Sequence, residues 1–172
     1  MIIIGYQGIG KSTLASHDIR YIDLESSSFF HNGKRPNNWY VYYCNIAANL
    51  SNQGYNVFVS SHEVVRNRLK KYFSDEKVIC IYPSIDLKDE WIKKLKDRFD
   101  KDISDKNYKA WMNAVDRYID NIIEIKNCGI PGIEITSMDY DLYDEIVNGV
   151  LGLKMDINNV ISENDNGSQV SE

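Results

Sequence analysis

Met1-Ile2-Ile3-Ile4-Gly5-Tyr6-Gln7-Gly8-Ile9-Gly10-Lys11-Ser12-Thr13 opens the chain, and its reading decides the fold. From Gly5 to Ser12 it satisfies the spacing G-x-x-x-x-G-K-[ST], in which backbone N–H groups curl around phosphate oxygens. Glycines are needed there because side chains would fill the nest. Lys11 is then placed to reach the β- and γ-phosphates, and Ser12 to offer a hydroxyl to Mg²⁺. The apolar, β-branched run at residues 1–4 reads as a strand, and Lys11 to Ala15 as the start of a helix. The glycines therefore fall between strand and helix, as phosphate binding requires. The expectation is a nucleoside triphosphate site at Gly8, Ile9, Gly10, Lys11, Ser12 and Thr13.

Working outward, apolar strands alternate with helical periods, the pattern of a parallel sheet covered by helices. The predicted strands are residues 1–5, 21–24, 55–60, 78–82 and 133–135. A helix over 38–52 ends at Gly54. Ser60 and Glu63 have capping-box spacing for a helix running to about residue 73. Pro83 closes the fourth strand. Residues 87–99 and 106–126 read as two helices around a charged loop, a candidate movable cover. A closing helix is expected over 140–151, and the polar, acidic stretch 158–172 is predicted to be disordered.

The 172 residues, 43% hydrophobic, suit one domain with a single core. Basic and acidic residues are interspersed and the net charge is -5, so no positive face for a nucleic acid or an anionic membrane is expected. The amino-terminal apolar run is too short for a signal peptide or a membrane span, which leads to the expectation of a cytoplasmic protein. Cys44, Cys80 and Cys128 are widely spaced in segments that read as buried, and are expected to be reduced core thiols. No His/Cys spacing suggests zinc, so any metal is expected to arrive with phosphate.

In its order of parts the chain resembles the P-loop kinases of small molecules, the group that includes nucleoside monophosphate kinases and shikimate kinase. The residues carrying the resemblance are the loop G-x-x-G-x-G-K-S-T, Asp23-Leu24-Glu25 after the second strand, and Val57-Phe58-Val59-Ser60-Ser61-His62 at the third. Val78 to Pro83 with the helix from Leu87, and Ile133 to Ser137 with the closing helix, complete it. Its implications are a P-loop NTPase fold over residues 1–155, a five-stranded parallel sheet flanked by helices, and a helical lid at about 84–110. The implied cofactors are ATP and Mg²⁺. The implied activity is transfer of the γ-phosphate to a nucleoside or deoxynucleoside monophosphate. Phosphorylation of a metabolite hydroxyl is the alternative, and a nucleotide-dependent ATPase or switch a third reading. Two departures stand out: the lid cations are mostly lysines (Lys93, Lys94, Lys96, Arg98 and Lys101), and no acidic residue ends the third strand.

Phosphoryl transfer needs an aligned acceptor, neutralised phosphate charge and exclusion of water. Lys11, Asp23, Arg66, Lys94 and Arg98 are the candidate catalytic residues, and Ser12 and Asp23 the candidate metal holders. A hydroxyl acceptor benefits from a carboxylate, a monophosphate from cations. Asp23 and Glu25 can supply the former, Arg35 and Arg66 the latter, with Tyr40, Ser61 and His62 beside them. Other roles are open to several of these residues. Glu25 can serve the turn at Ser26 to Phe30, and His62 can be a hydrogen-bonded residue at a helix start. The aromatics around Trp39 can be core, and the lid lysines the wet face of an amphipathic helix. Ser137 and Met138 fall at the expected adenine edge or in an ordinary turn. Arg68, two positions from Arg66, should face away.

Overall fold

The computed structural model describes residues 1–30, 34–73 and 77–153. The expected tail at 158–172 lies outside them. Five strands form one all-parallel sheet: β1 (Ile2–Gly5), β2 (Tyr21–Asp23), β3 (Asn56–Ser60), β4 (Val78–Pro83) and β5 (Gly132–Ile135), in the order β2-β3-β1-β4-β5. The flanking helices are α1 (Lys11–His17), α2 (Trp39–Asn52), α3 (Glu63–Tyr72), α4 (Lys88–Lys101), α5 (Asp105–Lys126) and α6, which spans 142–153 of the described residues. Each predicted strand and helix is present, with ends differing by one or two residues.

The central strands read as continuous apolar runs because both faces are covered. Ile2, Ile3 and Ile4 of β1 and Val57, Phe58 and Val59 of β3 are wholly buried, and Cys80 and Ile81 continue the layer in β4. Register pairs Ile3 with Phe58 on one side and with Ile79 on the other. Helix α2 lies against β1, β3 and α3, burying Tyr43, Cys44, Ala47 and Ala48 at helical spacing. Gly54 ends that segment at φ 95°, a backbone state that any side chain would strain.

Two expectations change. Ser60 does not cap α3: His62 occupies the cap position with no side-chain cap bond, and Ser60 Oγ instead accepts from His62 Nδ1 at 2.9 Å. The stretch expected as a cover is, at its start, part of the core. Trp91 and Leu95 are fully buried beneath the loop that follows β1, and α4 packs along α5. Only farther along does the pair of helices open to solvent, with Ile103 82% exposed at the turn.

The connection after β1 leaves toward β2 and that after β4 toward β5, so the loops part at the carboxyl ends of the strands. Ligand crevices of open α/β sheets form at such partings. Among the described residues no helix is long and apolar enough to cross a membrane.

Candidate functional site

A cleft of about 1660 Å³ lies over the carboxyl ends of the strands, lined by the loop after β1, the ends of β2 and β3, the facing side of α5 and residues 138–143. The loop is held open by its glycines. Gly8 and Gly10 take φ of 84° and 95°. A Cβ on Gly8 would come within 2.9 Å of Leu95 Cδ2 and 3.3 Å of Trp91 Nε1. From behind, the indole of Trp91 donates to the Gln7 carbonyl at 2.9 Å, and the Gln7 amide donates to the Ala110 carbonyl at 2.8 Å.

Lys11 folds over this loop and donates to the carbonyls of Gly5 and Tyr6 at 3.2 and 3.1 Å. Burial pushes its ammonium down to about 8, against the opposing pull of Asp23 and Glu25. Ser12 Oγ donates to Asp23 Oδ2 at 2.5 Å, so the two groups predicted to hold Mg²⁺ meet at the cleft floor. One hydroxyl and one carboxylate are a sparse oxygen set, suited to a magnesium ion that brings phosphate and water ligands with it. Among the described residues there is no cluster of three or more His, Cys, Asp or Glu side chains able to hold a metal by themselves.

Tyr43 sets the geometry of the next wall. Its phenol donates to the Leu24 carbonyl at 2.6 Å and accepts from the Ser60 amide at 2.8 Å, pinning the ends of β2 and β3 together. Asp23 and Glu25 on one strand end, and Ser61 and His62 on the other, thereby face one space. Arg35 stacks between Phe30 and Trp39, with its guanidinium carbon 4.6 and 4.5 Å from the ring centres. It donates to Ser26 Oγ at 2.9 Å and to His62 Nε2 at 3.1 Å. An imidazole that accepts at Nε2 and donates from Nδ1 to Ser60 is neutral. Burial, with Arg35 and Arg66 beside it, pushes the His62 pKa down to about 4.

Arg66 is only 5% exposed. It donates to the Ser61 carbonyl and, at 3.3 Å, to Glu124 Oε2. The other oxygen of Glu124 accepts from Arg117 at 2.9 Å. One carboxylate therefore orders two arginines on the cleft wall. Helix α5 breaks step at Arg117, where φ is -137° and ψ 20°. Nε atoms of Arg35, Arg66 and Arg98 in the cleft, and of Arg68 outside it, are buried without a hydrogen-bond partner among the described residues. Three guanidiniums with a free donor on one cleft can together accept an anion.

At the opposite end, Lys94 lies over the rings of Trp91 and Tyr140 at 4.5 and 4.8 Å and donates to the Tyr140 hydroxyl at 3.0 Å. Burial, then Arg98, lowers its pKa. Met138, Tyr140 and Leu142 complete that end beside Gly10 and Thr13.

Most residues singled out in the sequence therefore share one cleft: the loop residues, Asp23, Glu25, Arg35, Ser61, His62, Arg66, Lys94, Arg98 and Met138. Two do not line it. Tyr40 turns its ring edge to Trp39 and packs on the core, and Ser137 accepts from the Asp139 amide at 3.1 Å within a turn. Glu25 is held by Lys106 and by Ser27 Oγ at 3.3 Å. Arg68 lies apart, over Tyr72. Of the cover lysines, Lys96 pairs with Asp100 at 2.5 Å on the surface.

The wall contributed by α5 was missed. Lys106, Lys109, Asn113, Arg117, Asn121 and Glu124 line the cleft, and their three- and four-residue spacing is that of a polar helical stripe. That periodicity is the signal by which the sequence could have disclosed them. No known family, no curated protein and no solved structure matches the chain.

Proposed function

We propose that this protein is an ATP-dependent phosphotransferase with a P-loop NTPase fold, which passes the γ-phosphate to a nucleoside or deoxynucleoside monophosphate. The observation that carries the reading is the joining of two unlike subsites in one cleft. A glycine loop with Lys11, Ser12 and Asp23 lines the same cleft as Arg35, Arg66 and Arg117. A volume of about 1660 Å³ exceeds the roughly 300–1,000 Å³ of a pocket for one small molecule. Two ligands end to end suit it better.

In this reading the loop amides and Lys11 hold the triphosphate of ATP, and Ser12 and Asp23 hold Mg²⁺, which neutralises charge on the transferring group. Arg66, buried, and Arg117, exposed on the cleft wall, bind the acceptor's phosphate, since guanidinium donors suit a dianion better than a neutral hydroxyl. Lys94 and Arg98 line the cleft from α4, where they would bring positive charge to the reacting phosphates. With Glu25 engaged by Lys106, Asp23 is the carboxylate left facing the loop.

The test is to supply purified protein with MgATP and a panel of nucleoside monophosphates, nucleosides and hydroxylated metabolites, and to follow ADP. Acceleration by one or a few monophosphates is expected. Acceleration by hydroxyl compounds alone would replace this reading with that of an alcohol kinase, and the absence of magnesium-dependent ATP binding would remove it altogether.

A further inference from the structure

The fold brings together two thiols, 48 residues apart in sequence, that the cleft does not use. Cys80 sits in β4, fully buried, its amide bonded to the Pro131 carbonyl at 2.8 Å. Cys128 follows α5 and is partly open to solvent. Their Sγ atoms are 3.8 Å apart.

The two sulfurs are not equivalent. Cys80 is fully buried whereas Cys128 is partly open, and the hydrogen bond between them, which either S–H can donate, holds the Cys128 thiol below the ordinary range. The Ile130 amide and the charges of Arg66 and Lys70 act in the same direction, while burial of Cys128 opposes them. The same hydrogen bond, together with burial, pushes Cys80 up. Burial raises Cys44 to about 12, against the opposing pull of Arg68. Lys70 also donates to the Cys128 carbonyl at 2.9 Å, which keeps the cation at this corner.

We propose that Cys128 and Cys80 form a peroxide-reactive dithiol, Cys128 as the attacking thiolate and Cys80 as the resolving thiol, closing to a reversible disulfide between β4 and the segment after α5. In the first step the Cys128 sulfur attacks a hydroperoxide. An S–O bond forms, the O–O bond breaks, and the departing oxygen leaves as water or alcohol. Cys80 then attacks the sulfenic sulfur, so that an S–S bond forms, the S–O bond breaks and water leaves with the Cys80 proton. Two electrons pass from two thiols to one peroxide. Closing from 3.8 Å to a bond of about 2.0 Å is an approach of about 1.8 Å, within reach of side-chain rotation and a small shift of the exposed segment beyond α5. The proposal does not depend on what the cleft binds.

The experiment treats the reduced full chain with hydrogen peroxide in small excess, blocks remaining thiols, and maps peptides by mass spectrometry without reductant. A Cys80–Cys128 linked peptide that dithiothreitol reverses is expected, with Cys44 alkylated as a free thiol. Cys44→Ser should form the same bond. Cys128→Ser should consume peroxide about tenfold more slowly or less, and Cys80→Ser should accumulate a dimedone-reactive sulfenic acid at Cys128. The wild-type map decides the matter even if a variant does not fold. Oxidation of Cys44 ahead of the pair, conversion of Cys128 to sulfinic acid with Cys80 still free, or a disulfide formed only between chains would overturn the proposal.

Discussion

Trp91 donates its indole N–H to the carbonyl oxygen of Gln7 at 2.9 Å, across 84 residues of chain. The bond matters because the donor is wholly buried and the acceptor belongs to the loop that, in the proposed function, would hold the triphosphate. Replacing Trp91 with Phe keeps an aromatic ring but takes this donor from a half-buried carbonyl. A loss of about 1–3 kcal/mol is expected in urea unfolding. Calorimetry with MgATP should show weaker binding as well, because the loop loses its rear support.

Gly8 and Gly54 share a positive φ but differ in surroundings: a Cβ on Gly8 meets Leu95 at 2.9 Å, whereas one on Gly54 meets nothing within 4 Å. Gly54→Ala should cost about 1–2 kcal/mol, the strain of the left-handed state. Gly8→Ala should cost a further 1–3 kcal/mol or so by overpacking, and should lose MgATP binding while Gly54→Ala retains it. Equal unfolding midpoints for the two variants would contradict the close packing of α4 on the loop.

If Asp23 serves the metal and reacting groups and Arg66 the acceptor, their variants must fail differently. Asp23→Asn should depress kcat by about 10²-fold or more while leaving acceptor KM near its original value. Arg66→Ala should chiefly raise acceptor KM and leave Glu124 paired with Arg117 alone. A uniform fall in ATP affinity across both variants would refute this division of roles.

His62 carries a pH dependence whose sign follows from its environment. Its pKa is lowered from the ordinary 6.5 to about 4 by burial and by Arg35 and Arg66. Between these values the unfolded chain takes up a proton that the folded chain refuses. Stability therefore falls as pH drops from about 6.5 toward 4, and is unaffected by this group above that window. The side chain remains open to the cleft, so water screens part of the effect. His62→Gln should flatten the slope of urea midpoint against pH relative to the parent; an unchanged slope would show that His62 titrates normally.

The glycine positions around Lys11, the buried strand runs, and the aliphatic and aromatic stripe of α2 were legible because each is a local demand. A left-handed backbone needs glycine, a doubly covered strand needs unbroken apolar residues, and a packed helix needs apolar residues every three or four positions. Ser60 misled for the opposite reason. Its spacing to Glu63 suits a cap, but its hydroxyl lies beside the ring of His62, a competition that spacing alone does not reveal.

The sequence by itself determined that a glycine-rich loop joins a buried strand to a helix in an α/β chain, since those features arise within a dozen residues of backbone. Only the tertiary structure decided the strand order β2-β3-β1-β4-β5, the seating of Trp91 behind Gln7, the bridge from Arg66 through Glu124 to Arg117, and the meeting of Cys80 with Cys128. These pairings join residues that no local periodicity relates. They exist because parallel strands require crossovers, and the path of each crossover sets which helix faces stand over the carboxyl edge of the sheet.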